Sequence, residues 1–511
     1  MRVCLLCYRG NPYSGGQGVY LYHLSRQLAR LGHEVDVVVG PPYPAPLEGW
    51  ARVHRVDNPR LWGVYRREWL TARPLELFRP WHLADFAATR LRFFPEPLTF
   101  SFRALGLLPR LLARRSFDLL HDVQSLGYGT WLMKAFGLPV LTTVHHPLTI
   151  DRREAFARNR TFNERYHSAV FYPVRMQGFV IRRLDRVITA SAAGSAAIQA
   201  DFRVPARRIS VVPNGLDSEG FRPGRWPREP ARLLFVGNSD DLKKGAEVLV
   251  AALARLPERV RLRIVDEPYP ARARVAEAAE RLGVGHRIEV TGRLSPERLR
   301  EEYCRCTLLV QPSLYEGFGL PAAEALACGT PVVATAVGAV PEVVTPETGV
   351  LVPPRDPAAL ADAIAALLDD PARRERMGAA GRRLVEREFT WERCGERTAA
   401  VYADLLGGAA PEDAGGAEAG RAAPIAEVAR HAVSEPHGVL APTRGATVPA
   451  DGAIGLAGGA PAPDGDAPAP DGGAAASNGP GAVPSRLGLA PGGTAAAPGV
   501  PAAARGRAEG A

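Results

Sequence analysis

Glu316 and Glu324 flank a glycine-containing turn in the run 312–331, P-S-L-Y-E-G-F-G-L-P-A-A-E-A-L-A-C-G-T-P. An apolar run at 307–310 precedes it and an Ala/Leu-rich run at 321–327 follows, which reads as a strand end, a turn and the first turns of a helix. In an open α/β sheet that junction is where ligands bind. Gly317 and Gly319 let the backbone approach a bound group, and Pro321 suits a first helical position, leaving N–H groups at the helix start for an anion. On these grounds alone Glu324 is either a ligand-facing carboxylate or a solvated acid favoured near a helix N-terminus.

Two further positions carry chemistry of the same kind. The run 235–245, F-V-G-N-S-D-D-L-K-K-G, ends a strand in a loop with paired lysines and a glycine ahead of a helix. Lys244 there offers a point charge to a diphosphate, with N–H donors from the helix start; a solvated loop lysine is the plainer reading. His145 closes the strand-like L-T-T-V, where an imidazole is either a proton-handling group or an ordinary strand-end residue.

The elements that must hold these residues fall into two series. A strand at 2–7, a loop N-P-Y-S-G-G-Q-G at 11–18, a helix at 19–31 and a strand at 33–39 begin a doubly wound domain. The glycine spacing is not G-x-G-x-x-G, so the dinucleotide fingerprint is absent. Strands at 118–121, 139–144, 187–190 and 209–212 continue the first series. After the turn-rich joint Pro213-N-G-L-Asp217 a second series begins, with strands at 233–236, 261–265, 287–290, 308–310 and 331–334 and helices at 245–254 and 273–282. The expected fold class is α/β: two Rossmann-like doubly wound domains facing across a cleft, the Glu motif in the second.

The run Glu316-G-F-G-L-P-A-A-Glu324, with Pro312-S-L-Y before it and Ala327-C-G-T-P-V-V-A-T after it, resembles the Glu-x7-Glu region of the retaining glycosyltransferases of family 4. The resemblance spans roughly residues 1–405 and implies a GT-B architecture. Its implied parts are an acceptor-side domain at 1–212, a nucleotide-sugar-binding domain at 213–388, and a terminal helix at 389–406, opening with Phe389-T-W-Glu392, that returns to the first domain. In that family the first Glu contacts the transferred sugar and the second holds the ribose hydroxyls, roles that fall on Glu316 and Glu324. Lys244-Gly245 matches the family's Lys-Gly pair, whose lysine binds donor phosphate. Gly15-Gly16 matches its Gly-rich turn near donor phosphates and acceptor, and His145 its active-site histidine, with His146 as neighbour.

The resemblance also implies retention of anomeric configuration without a metal, and no cofactor. No D-x-D pair stands near the motif, since Asp240 and Asp241 are adjacent and sit beside lysines. The leaving diphosphate would be stabilised by Lys244 and by N–H groups near Gly319 and Leu320. Glu316 would orient sugar hydroxyls and His145 would hydrogen-bond near the reacting centre. The family's usual arginine after the strand-end glycine is Asn238 here, which can donate a hydrogen bond but carries no charge. That leaves Lys243 or Arg293 to assist Lys244. The segment 264–268, I-V-D-E-P, lacks the usual Gly-rich turn.

Composition bounds the remaining classes. The chain has 511 residues and a formal net charge of +9. From about Gly407 onward Ala, Gly and Pro dominate, with too little apolar side chain to offset ordering entropy, so a disordered tail at 407–511 is expected. That tail carries ten acidic residues and six arginines, so the body is near +13. Such a surface attracts anions, although no zinc-finger spacing or basic-aromatic RNA motif points to nucleic acid. Cys4-x-x-Cys7 and Cys304-x-Cys306 have no His at ligand spacing and read as buried small hydrophobes of a reducing compartment. No run of 18 apolar residues and no secretory leader is present, so a cytoplasmic location is expected.

The acceptor is a glycan, a lipid-linked sugar or a small molecule. The stretch 89–117 interleaves arginines with aromatic and aliphatic residues. It is either a helix packed on its own domain or a peripheral contact with an anionic membrane. Two rival functions stand beside transfer: a GT-B epimerase or phosphorylase, and a nucleotide-sugar-binding scaffold without turnover, the latter motivated by Asn238.

Overall fold

The computed structural model describes residues 1–10, 16–57, 75, 79–91, 93–159, 161–266, 273–292 and 294–407. Gly15, Arg293 and the run expected to form a tail beyond Gly407 lie outside the described residues.

Short runs rich in Val, Leu and Ile form strands that helices cover on both faces, so they read as continuous apolar segments rather than alternating ones. The first sheet contains β1 (Arg2–Cys7), β2 (Glu34–Val39), β3 (Ala51–Arg55), β4 (Leu119–Val123), β5 (Val140–Val144), β6 (Arg186–Thr189) and β7 (Ile209–Val211). The second contains β8 (Arg232–Val236), β9 (Arg261–Val265), β10 (Ile288–Thr291), β11 (Leu308–Gln311), β12 (Val332–Thr335) and β13 (Gly349–Val352). Every neighbouring pair is parallel, in the orders β3-β2-β1-β4-β5-β6-β7 and β10-β9-β8-β11-β12-β13. These are two Rossmann-like domains.

The winding reverses between β1 and β4 in one sheet and between β8 and β11 in the other. Crevices at the carboxyl ends of such strands are the ligand positions of doubly wound folds. The loops after β1, β5, β8 and β11 are those that carry Gly16, His145, Lys244 and Glu316.

The chain crosses between the sheets twice, and the crossings lie side by side. The Leu216 N–H donates to the Phe389 carbonyl at 2.7 Å, and Leu216 bridges Thr390. A Cβ on Gly215 would fall 2.5 Å from Trp391 Cα, so the two segments can meet this closely only at a glycine. Beyond the crossing, the terminal helix (Trp391–Leu405) packs on the first helix (Gly16–Arg30), and Trp391, Cys394 and Tyr402 join the core beneath β1.

Several expected bounds shift. The first helix starts at Gly16 rather than 19, and the strand expected at 118–121 runs from Leu119 to Val123. Two strands had no counterpart in the sequence reading. β3, A-R-V-H-R, is an edge strand with two arginines, and β13 is only four residues long. The stretch 89–117 contains a helix, Glu96–Leu112, whose Phe100, Ala104, Leu108 and Leu111 are buried in the core of the first sheet. Its apolar side is therefore spent inside the protein. Arg110 and Arg114 stay exposed, while Arg115 pairs with Asp36 at 3.0 Å. All six cysteines are free and buried. No helix among the described residues is long and apolar enough to cross a membrane.

Candidate active site

A cleft of about 500 Å³ opens between the carboxyl ends of the two sheets. From the first sheet it is lined by Gly16, Tyr20, His23, His145 and His146, and from the second by Lys244, Glu316, Gly319, Leu320 and Glu324. Asn214, Asp217 and Trp391 close it at the crossing.

Lys244 ends a short helical turn, and Gly245 follows at φ +66°. A Cβ at Gly245 would stand 2.0 Å from the Pro312 carbonyl oxygen, so glycine alone allows the lysine loop to lie against the Glu316 turn. Lys244 Nζ donates to Glu316 Oε1 at 2.8 Å, and Ser313 Oγ donates to the same oxygen at 2.8 Å. Glu316 is thus a buried carboxylate with its charge matched, and the ammonium keeps donors free for an anion. Gly319, at φ +96°, caps the helix Leu320–Ala327, whose start faces the cleft.

Glu324 sits one turn into that helix. Its Oε2 accepts from Tyr303 Oη at 2.7 Å. Burial pushes its carboxyl up to about 7, the Tyr303 hydrogen bond opposing that rise. The carboxyl therefore changes charge near neutral pH.

On the other wall, Asp122 holds a tight turn by accepting from the Leu126 N–H at 2.9 Å and from Ser125 Oγ. Gln124 and Leu126 take φ values of 54° and 48° there, unusual for residues with a Cβ. The turn delivers Gln124 to the end of β5, where Oε1 accepts from the His145 N–H at 2.8 Å and Nε2 donates to the His146 carbonyl at 3.1 Å. His145 is held at its backbone, but its Nε2 is buried without a protein partner. Burial, reinforced by His146, pushes the imidazole down to about 4, so it is neutral at pH 7.

Not every expected residue meets at this cavity. Asn238 lies outside the lining, and its Oδ1 accepts from the Asp240 N–H at 3.0 Å, closing a turn. Lys243 also lies outside it. It donates to Asp151 of the first domain at 2.9 Å, and Asp151 contacts His146 Nε2 on its other side, also at 2.9 Å. Those neighbours hold Asp151 down at about 2 and raise the Lys243 ammonium. Lys243 thus braces the two domains.

The residues missed by sequence reasoning are Tyr20, His23, Asn214, Asp217, Tyr303 and Trp391. Tyr20 and His23 follow Gly16 at helical spacing, a signal that was available. Tyr303 is fully buried on another helix and gave none.

Residues 15–215 match the glycosyl transferase 4-like domain and 218–384 match glycosyl transferases group 1. The MMP alpha-(1->4)-mannosyltransferase of Mycolicibacterium hassiacum is 39% identical, covering 79% of this chain and 98% of the relative. The D-inositol 3-phosphate glycosyltransferase of Xylanimonas cellulosilytica is 32% identical, over 77% and 93%. Among solved structures, sucrose-phosphate synthase from Thermosynechococcus elongatus superposes with a TM-score of 0.61 at 27% identity, covering 80% of this chain and 99% of that one. Anabaena Alr3699/HepE in complex with UDP-glucose, at 18% identity and TM-score 0.57 over 79% and 100%, shares the fold. Two Rossmann-like domains whose strand ends border one cleft define the GT-B architecture. This chain belongs to the glycosyl transferases group 1, and moves a sugar from a nucleotide sugar to an acceptor.

Proposed function

We infer that this chain is a retaining glycosyltransferase that moves a sugar from a nucleoside diphosphate sugar to a hydroxyl of a glycan, lipid-linked or small-molecule acceptor. One observation carries the reading: the Lys244–Glu316 pair, Glu324 and the partnerless Nε2 of His145 all border one cavity. In this reading the diphosphate lies against Lys244 and the amides near Gly319 and Leu320, where negative charge develops as the bond to the sugar breaks. Glu324 accepts the ribose hydroxyls, Glu316 orients hydroxyls of the sugar, and Gly16 leaves room for the ligand on the opposite wall. Neutral His145 offers its buried ring nitrogen to the sugar as the positive charge on its anomeric carbon grows. The acceptor attacks the face from which the diphosphate departs, and the phosphate takes the acceptor proton. No protein nucleophile is required.

The Mycolicibacterium relative is named for mannosyl transfer, so nucleoside diphosphate mannoses are the first donors to test. A cytoplasmic location suits such donors. Any contact with an anionic membrane would rest on exposed arginines such as Arg110 and, just past the helix end, Arg114, because the apolar side of the helix Glu96–Leu112 is buried. Asn238 closes a turn within its own loop, which gives this residue a structural role there. Incubation with a panel of nucleotide sugars, with and without glycan acceptors, tests the reading. Acceptor-dependent release of nucleoside diphosphate is expected. Release without any acceptor would favour an epimerase, and binding without turnover a scaffold.

A further inference from the structure

A chain of buried polar groups runs from the terminal helix to His145. Tyr402 Oη lies 2.6 Å from His121 Nδ1, and His121 Nε2 lies 2.8 Å from Thr143 Oγ1. Thr143 Oγ1 in turn lies 3.2 Å from Tyr20 Oη. The Tyr20 ring meets the His145 imidazole edge to face, with centroids 4.7 Å apart. All four linking residues are buried, and His121 has no exposed surface at all.

The His121 imidazole bridges Tyr402 and Thr143 through its two ring nitrogens, in either neutral tautomer one nitrogen donating and the other accepting. Burial keeps it neutral, pushing its pKa down to about 3, with His145 adding to the effect.

A chain that starts at a tyrosine on the last helix thus ends, three groups later, in an aromatic wall of the cleft. His145 Nε2 has no protein partner, so the orientation of its ring depends on its backbone anchor and on the Tyr20 face. We propose that Tyr402, His121 and Thr143 are positioning residues that lock the Tyr20 ring and thereby set the orientation of the His145 imidazole. The terminal helix is then part of the catalytic apparatus as well as a clasp between domains. The inference rests on His145 acting beside the reacting centre.

The test uses the full chain, Tyr402→Phe and Leu405→Ala. Leu405 packs on the same core from the same helix and contributes no polar group to the chain, so its variant controls for lost helix packing. Histidine side-chain NMR of each protein is recorded with turnover at saturating nucleotide sugar. Tyr402→Phe is expected to shift the His121 and His145 ring resonances and to lower kcat at least fivefold with donor KM unchanged. Leu405→Ala, at a comparable loss of Tm, should do neither. If Tyr402→Phe does not fold, Tyr20→Phe, which keeps the ring and cuts the chain, carries the same expectation. Unmoved His145 resonances, or a kcat loss no larger than that of Leu405→Ala, overturn the proposal. His145→Ala, measured alongside, judges the catalytic reading separately: unchanged turnover there sinks that reading, whatever the resonances show.

Discussion

Glu324 carries two opposed demands. Its carboxyl sits at about 7 instead of the ordinary 4.5 because burial disfavours the charge. The folded protein holds that proton more tightly than the unfolded chain, so this group's contribution to stability is complete below pH 4.5 and is lost as pH rises through 7. A ribose donating two hydroxyls favours the ionised form, so donor affinity is expected to climb between about pH 6 and 8. Glu324→Gln should weaken nucleoside diphosphate binding by roughly 1–3 kcal/mol and flatten that pH dependence. It should also make the ligand-free protein more stable than wild type at pH 8. Calorimetry and thermal melts at both pH values check the two halves separately.

Lys244 and His145 divide binding from chemistry at the same scale. Lys244→Ala should weaken nucleoside diphosphate by about 1.5–3 kcal/mol while leaving nucleoside binding nearly unchanged, the outcome expected when the ammonium serves the phosphates alone. His145→Ala should lower kcat far more than donor affinity, because a neutral ring matters most when charge develops on the sugar. Equal losses in both parameters would make it a ground-state contact.

At the scale of elements, two glycines predict opposite outcomes. Gly245 lies at φ +66° with the Pro312 carbonyl where a Cβ would go, so Gly245→Ala should cost more than the roughly 1–2 kcal/mol of the left-handed conformation alone. A Cβ at Gly16 meets nothing within 4 Å and projects beside the cleft, so Gly16→Ala should spare stability and weaken ligand binding. Urea melts and donor titrations separate the two.

The legible part of the molecule was local. Apolar runs of four to six residues gave the central strands because they are buried on both faces, and glycines at strand ends marked the turns. β3 escaped because an edge strand tolerates the alternating arginines of A-R-V-H-R. The site divides in the same way. Glu316, Glu324, Lys244 and His145 each follow a strand end, whereas the partners that hold them are remote. Tyr303 reaches Glu324 across 21 residues and Tyr402 reaches His121 across 281, and no periodicity carries such pairings.

For the whole molecule, the two domains touch through more than the crossing. Glu342 of the second domain accepts from the Ala192 and Ala193 N–H groups at 2.8 and 2.9 Å, at the start of the helix Ala192–Phe202. Ser191 Oγ donates to the Gly317 carbonyl at 3.2 Å, and Lys243 meets Asp151. Glu342→Gln should loosen this arrangement, seen as a larger radius of gyration in solution scattering and weaker donor binding. Truncation after Leu406 keeps both sheets and the terminal helix, and should retain transfer. Truncation at Phe389 removes Trp391, Cys394 and Tyr402 from the first core and should cost solubility.

Sugar transfer with retention at this cleft is read out by following the anomeric proton of the first-formed product by NMR, starting from an α-linked nucleotide sugar and a glycan acceptor. An α-linked product is expected from the start of the reaction, formed far more slowly by folded Glu316→Gln or Lys244→Ala protein. A β-linked first product, or an α-linked product formed at the wild-type rate by both variants, would contradict transfer with retention at this cleft.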